Sequence, residues 1–89
     1  MLLLESDTIF FKEGTAIIAY CPELDVSSCG ADIEQARTNL KTAVRLFVEE
    51  AQKMGTLEDI LEESAFTQSS TSSWHPPRLL ATELMCLAA

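Results

Sequence analysis

The stretch that decides the fold is residues 32–55, DIEQARTNLKTAVRLFVEEAQKMG. Apolar residues recur in it at spacings of three and four, which places them on one face of a helix. Asp32 and Gln35, three residues apart, form a capping box that starts this helix, and Gly55 ends it because glycine readily adopts a left-handed conformation. The predicted buried face consists of Ile33, Ala36, Leu40, Ala43, Val44, Phe47, Ala51 and Met54.

A second, shorter helix is predicted directly after Gly55. Thr56 and Asp59 are typical of its capped start, and it carries Leu57, Ile60 and Leu61 as its apolar residues. The break between the two helices is therefore an αα corner.

Upstream of the long helix, residues 2–21 predict two antiparallel strands separated by a polar turn at 12–14. The second strand, 16–21, has no charged residue, so it lacks the alternation of a strand with one wet face, and we expect both of its faces to be covered. Pro22 cannot continue a central strand, and residues 26–29 predict a short third strand that the following glycine ends.

Downstream of the helices the composition changes sharply. Residues 67–73 are all Thr, Gln or Ser, and two prolines follow at 76 and 77, so 67–77 is predicted to be a flexible connector. Residues 79–87 are apolar except for Thr82 and Glu83. Their composition suits a helix or a strand. We predict that 78–89 is the C-terminal edge strand of the same domain, added to a sheet edge in its own subunit or in a partner's.

The composition bounds the class of protein. Eighty-nine residues, 47% of them hydrophobic, suit one globular domain, and 14 acidic against six basic residues leave a formal net charge of −8. This charge repels phosphate backbones and anionic membranes, so direct nucleic-acid binding is not expected and a basic partner fits better. The opening LLL is followed by Glu5 and Asp7, and no apolar run approaches the length of a membrane span, which predicts a cytoplasmic protein.

The residues that carry chemistry are sparse. Cys21, Cys29 and Cys86 are odd in number and form no close pair, so we expect buried, reduced thiols. With His75 they could offer four zinc ligands, but their spacing is unlike that of zinc sites built from local pairs. No Cys or Ser stands in a sequence that would activate His75 as a catalytic base. The sequence predicts neither an enzyme nor a metal or other cofactor site.

Four stretches taken in order resemble the HicB-like antitoxin domain. They are FKEG at 11–14, IAYCPELD at 18–25, SSCG at 27–30, and a helix from IEQA to FVEE at 33–50. The resemblance covers residues 9–51 and extends more loosely to 66, which makes 1–66 the core of the domain. It implies an α+β fold in β-β-β-α-α-β order, with a small antiparallel sheet and the main helix across one face. That fold is a reduced ribonuclease-H arrangement without the catalytic carboxylates.

The resemblance also implies a function. Such domains neutralise a small basic RNA-cleaving toxin by covering its active site, and longer members add a DNA-binding module at the C-terminus. Residues 68–89 contain a single basic residue, Arg78, so DNA binding is not expected here. The candidate contacts with a toxin are Glu23 and Asp25, which we expect to face water in the turn after Pro22.

An alternative from another class is a non-catalytic structural or regulatory homo-oligomer with no toxin partner. The apolar strand at 16–21 supports it equally well, because one helix covers only one face of that strand. We therefore expect a homodimer or a higher oligomer in either case.

Overall fold

The computed structural model describes residues 2–70 and 72–89 and confirms the α+β class. In chain order its elements are β1 (Leu3–Leu4), β2 (Ile9–Glu13), β3 (Ala16–Cys21), β4 (Val26–Gly30), α1 (Ile33–Met54), α2 (Leu57–Glu63), β5 (Thr67–Ser70) and β6 (Ser73–His75).

The strands β2, β3 and β4 form an antiparallel sheet in that spatial order. The two-residue turn at 14–15 joins β2 to β3, and the turn at 22–25 joins β3 to β4. In the observed register Ile18 lies between Phe11 of β2 and Cys29 of β4. The two antiparallel strands predicted within 2–21 and the short third strand are confirmed. The turn predicted at 12–14 is wrong in position, because Lys12 and Glu13 belong to β2 and pair with Ile17 and Ala16.

Helix α1 has the predicted ends. The Asp32 side chain accepts a hydrogen bond from the Gln35 backbone N–H at 2.7 Å, and the Gln35 side chain accepts one from the Ala31 N–H at 2.6 Å. Gly55 has φ 71°, and the next N–H, that of Thr56, donates to the Ala51 carbonyl at 3.0 Å. These bonds use backbone groups that a helix end otherwise leaves unpaired.

Helix α1 packs against β3 and β4 on one face of the sheet. Ala19 and Cys21 of β3 and Ala36 of α1 are fully buried at this contact. Gly30 at the end of β4 allows the closest approach, since a Cβ there would lie 2.5 Å from the Ala36 backbone nitrogen. Small residues on both sides therefore set the helix close to the sheet.

The buried face of α1 differs from the prediction at the two ends of the helix. Ile33 and Met54 are exposed, whereas Val48, which was not predicted, is buried. A 22-residue helix is about 33 Å long and a strand of five or six residues about 17–20 Å, so the sheet is too short to cover the whole helix.

Helix α2 forms as predicted, with Leu57 and Leu61 buried, but its predicted cap is wrong. The Thr56 hydroxyl makes no capping bond and instead donates to the Ala51 carbonyl at 3.4 Å. The C-terminal carbonyls of α1 lie closer to this side chain than the first turn of α2 does, because the corner between the helices is tight.

A second sheet has the order β1-β6-β5, with β1 parallel and β5 antiparallel to β6. The prediction of a flexible connector at 67–77 is therefore wrong for 67–70 and 73–75, which form a hairpin; Thr71 lies outside the described residues. The hairpin is held by its pairing with β1 and by Trp74, which is only 4% exposed. The composition of residues 67–77 indicates neither the pairing with β1 nor the burial of Trp74.

Residues 76–89 have no regular secondary structure, and those from 77 onward are exposed. The prediction that 78–89 forms an edge strand of the same domain is therefore wrong for the single chain. The strand that follows the helices and joins a sheet is instead the hairpin β5–β6, whose β6 pairs with β1. We call residues 79–87 the apolar arm.

The core is one continuous cluster that joins both sheets to both helices. Its buried members are Ala19, Cys21, Leu24, Ala36, Leu40, Val48, Ala51, Leu57, Leu61, Phe66 and Trp74. Within residues 2–70 and 72–89, neither helix is long and apolar enough to cross a membrane.

The contact at Gly30 gives a first testable prediction. Gly30→Ala places a methyl group against the backbone of α1, so we expect the free energy of unfolding to fall by about 1–3 kcal/mol, as overpacking does. Urea denaturation measures this loss. Gly14→Asn is the control, because the site is open and asparagine tolerates φ 62°. Equal stability of Gly30→Ala and the wild type would contradict the close approach.

Candidate functional site

The turn at 22–25 carries Glu23 and Asp25, the two acids predicted to contact a toxin, and it places their carboxylates in different surroundings. The Glu23 carboxylate accepts the Asp7 backbone N–H, with 3.2 Å to each oxygen, and accepts a weak bond from the Cys21 thiol at 3.6 Å. Glu23 is half-buried. It therefore fastens the segment between β1 and β2 to this turn, and the expectation that its carboxylate faces water is wrong.

Burial raises the pKa of the Glu23 carboxyl above its ordinary value, and the neighbouring Asp7 carboxyl raises it further. The bond from the Asp7 N–H acts in the opposite direction and is outweighed. Burial likewise raises the pKa of the Cys21 thiol, which keeps that thiol protonated and unreactive at neutral pH.

Asp25 is the acid of this turn that faces water. It is exposed and adopts φ 54°, a conformation in which aspartate is among the better tolerated residues. The Tyr20 hydroxyl donates to its Oδ1 at 2.9 Å, and this bond raises the pKa of Tyr20. The turn thus presents one oriented carboxylate, that of Asp25, at the end of β3 and the start of β4.

The sheet face opposite α1 is apolar, and the described residues place no element on it. Alternation along the strands puts Ile18 and Tyr20 on this side, because Ala19 and Cys21 lie under α1. Phe11 is 52% exposed there. We call this surface the outer face; its apolar centre comprises Ile9, Phe11, Ile18, Tyr20 and Cys29, and the same register places Glu13, Ala16 and Ser27 at its rim.

Charges on the helices are largely sorted by sign, with Glu34 and Lys53 as the exceptions on α1. Arg37, Lys41 and Arg45 form an exposed row along α1, and the Arg37 guanidinium lies 5.4 Å from the ring centre of Phe10. That distance is within the range of a cation–π contact. The acids lie exposed at the other end of α1 and on α2: Glu49, Glu50, Glu58, Asp59, Glu62 and Glu63.

His75 joins two segments that are far apart in the chain. Its Nε2 lies 2.7 Å from the Ser69 hydroxyl, and its Nδ1 is hydrogen-bonded to the Glu5 carboxylate. The order hydroxyl, imidazole, carboxylate is also that of a catalytic triad. Here the His75 and Glu5 side chains are 42% and 68% exposed, unlike the dry and preorganised surroundings that acyl transfer requires. We interpret the trio as a tie between the hairpin and the segment after β1.

The cysteines divide by exposure. Cys21 is buried as predicted, but Cys29 and Cys86 are exposed, so the prediction of three buried thiols is wrong for two of them. All three are free, and the described part of the chain brings together no cluster of three metal-ligating side chains.

A scan of protein-family models and searches of curated proteins and of solved structures found no match to this chain.

The raised pKa of Glu23 predicts a pH dependence. The folded state holds this proton more tightly than the unfolded state does, so the contribution of Glu23 to stability falls as the pH rises from its ordinary pKa of 4.5 through the raised value. Glu23→Gln lacks this titration. We expect the wild type minus variant difference in unfolding free energy to decrease over that interval, as measured by urea denaturation at a series of pH values. A difference that stays constant or increases would contradict the assignment.

Proposed function

We propose that this protein is an antitoxin-like domain that binds a small basic RNA-cleaving toxin and covers its active site. It performs no chemistry of its own and needs no cofactor. We also propose that it acts in the cytoplasm and does not bind nucleic acid. The observation that carries the proposal is that the stretches resembling the HicB-like domain coincide with the parts that build and close the sheet.

Residues of those stretches form the contact between α1 and the sheet. Ala19 and Cys21, from the Ala-Tyr-Cys-Pro-Glu-Leu stretch, are the residues that α1 buries. Gly30, the end of the short strand, allows the contact with Ala36. A sheet with one helix across it is the arrangement that the resemblance implies, and this agreement between motif and packing supports the proposal.

Charge supports a basic partner and favours particular surfaces. An RNA-cleaving protein must attract phosphates, and the net charge of −8 complements such a partner. The basic row on α1 would repel it. The turn of β3 and β4 is a better contact, since the Asp25 carboxylate is exposed there and held in place by Tyr20. Glu23 contributes by fixing the turn.

A second candidate function is a non-catalytic structural or regulatory homo-oligomer. The outer face favours it, because an apolar sheet face with a half-exposed phenylalanine beside its central Ile18 is typical of a surface that another chain covers. The two functions use adjoining surfaces, since Asp25 lies in the turn after β3 and is hydrogen-bonded to Tyr20 of the outer face.

The first experiment is co-expression with the product of the adjacent reading frame, followed by affinity pull-down and by kinetics on the purified pair. We expect Asp25→Asn to slow association about two- to fivefold and to reduce its salt dependence, because exposed charges act mainly on the association rate. Asparagine tolerates the left-handed conformation and can still accept the Tyr20 hydrogen bond, so the fold is retained.

Asp59→Asn is the matched control, since it removes the same single charge from the exposed surface of α2. Equal slowing by both variants would mean that only the overall charge matters and would remove Asp25 from the interface. Charge reversal at Glu23 is a poorer probe, because it breaks the bond to the Asp7 N–H. Failure of the adjacent product to bind at all would leave the homo-oligomer as the function.

A further inference from the structure

The apolar arm is the most hydrophobic exposed segment of the chain. Leu80, Leu84, Met85 and Leu87 each keep at least 81% of their surface in water, and Leu79 keeps 53%. Glu83 is its single charged residue. Soluble proteins rarely leave so many large apolar side chains together in water, and such patches mark interaction sites.

The outer face offers a surface of matching character. It lacks a covering element among the described residues, and its central side chains are aliphatic or aromatic. Three strands of five or six residues give it a length of about 17–20 Å. The nine residues of the arm reach about 30 Å when extended, so they are long enough to cross it.

A second copy of this chain is the occupant that the arm itself supplies. Two chains of net charge −8 repel each other, but the arm, with Glu83 as its single charge, adds little to that repulsion at the contact. The prolines at 76 and 77 hold the start of the arm extended and away from helical turns, which projects it from its own subunit. Reciprocal exchange of two arms satisfies both subunits in a closed twofold dimer and doubles the apolar area buried.

We propose that the apolar arm of each chain docks on the outer face of a second copy, in an arm-exchanged homodimer. The arm covers the side of β3 that α1 leaves open. This inference rests on the homo-oligomer candidate and does not depend on toxin binding.

The two exposed cysteines allow a direct test, because Cys86 lies on the arm and Cys29 on the outer face. The full-length Cys29→Ser and Cys86→Ser variants are mixed at micromolar concentration, and the mixture is treated with a short bismaleimide. Each variant then carries one exposed thiol, and the buried Cys21 is protected in both. We expect a covalent dimer from the mixture and none from either variant alone.

The other outcomes overturn the proposal. A dimer from Cys29→Ser alone would mean that arms pair with each other, and one from Cys86→Ser alone would mean that outer faces pack together. Cross-linking of the wild type within a single chain would mean that the arm folds back on its own sheet. A mixture that forms no covalent dimer also overturns it.

A second measurement tests the energetics by sedimentation equilibrium. Leu80→Glu with Leu84→Glu should weaken the dimer at least about 30-fold, as the loss of a central apolar contact does. Thr38→Glu with Gln52→Glu adds the same charge to the exposed surface of α1 and should leave most of the affinity intact. Equal weakening by both pairs would assign the effect to charge and overturn the docking of the arm.

Truncation after Pro77 removes the arm while keeping Trp74 in the core, and we expect a folded monomer. Truncation after Ser73 is unsuitable, because it also removes Trp74. The two proposals fail separately: a wild-type chain that sediments as a monomer rejects the homo-oligomer itself, whereas a dimer that survives truncation after Pro77 rejects only the role of the arm.

Discussion

The contact between the first turns of α1 and the end of β4 is the constraint on which the rest of the structure depends. Gly30 lets the Ala36 backbone approach to a distance that no Cβ would permit, and Ala19 and Cys21 beneath the helix are small enough to keep it there. Because interiors are close-packed, a helix seated this closely fixes which strand residues face inward. The alternate residues of β3, among them Ile18 and Tyr20, therefore lie on the outer face.

The two acids of the turn that follows β3 also differ in their surroundings. The turn at 22–25 carries one acid turned toward the protein and one turned toward water. Glu23 pairs with the Asp7 N–H and is partly desolvated, whereas Asp25 pairs with Tyr20 and stays exposed. The half-buried and the exposed carboxylate are separated within four residues, so either can be changed without the other.

The second sheet enlarges the small core of this domain. A domain of 89 residues has little interior, and the hairpin β5–β6 adds Trp74 to it. Forming the hairpin costs conformational entropy, because the polar residues of β5 must be ordered. The backbone bonds to β1 and the tie from His75 to Glu5 hold the hairpin in place. The apolar arm remains outside, with a surface that the single chain does not bury.

The sequence alone determined the elements whose signals are local. The 3.6-residue periodicity and the caps at Asp32 and Gly55 placed α1 to the residue, and the uncharged run at 16–21 identified the central strand, because propensity, capping and alternation act over a few neighbours. Tertiary structure alone decided the remainder. The parallel pairing of β1 with β6 joins residues 70 positions apart, the half-burial of Glu23 depends on Asp7, and the exposure of Ile33 and Met54 depends on how much of α1 the short sheet covers. Each of these is set by a partner distant in the chain, and local composition carries no information about such a partner.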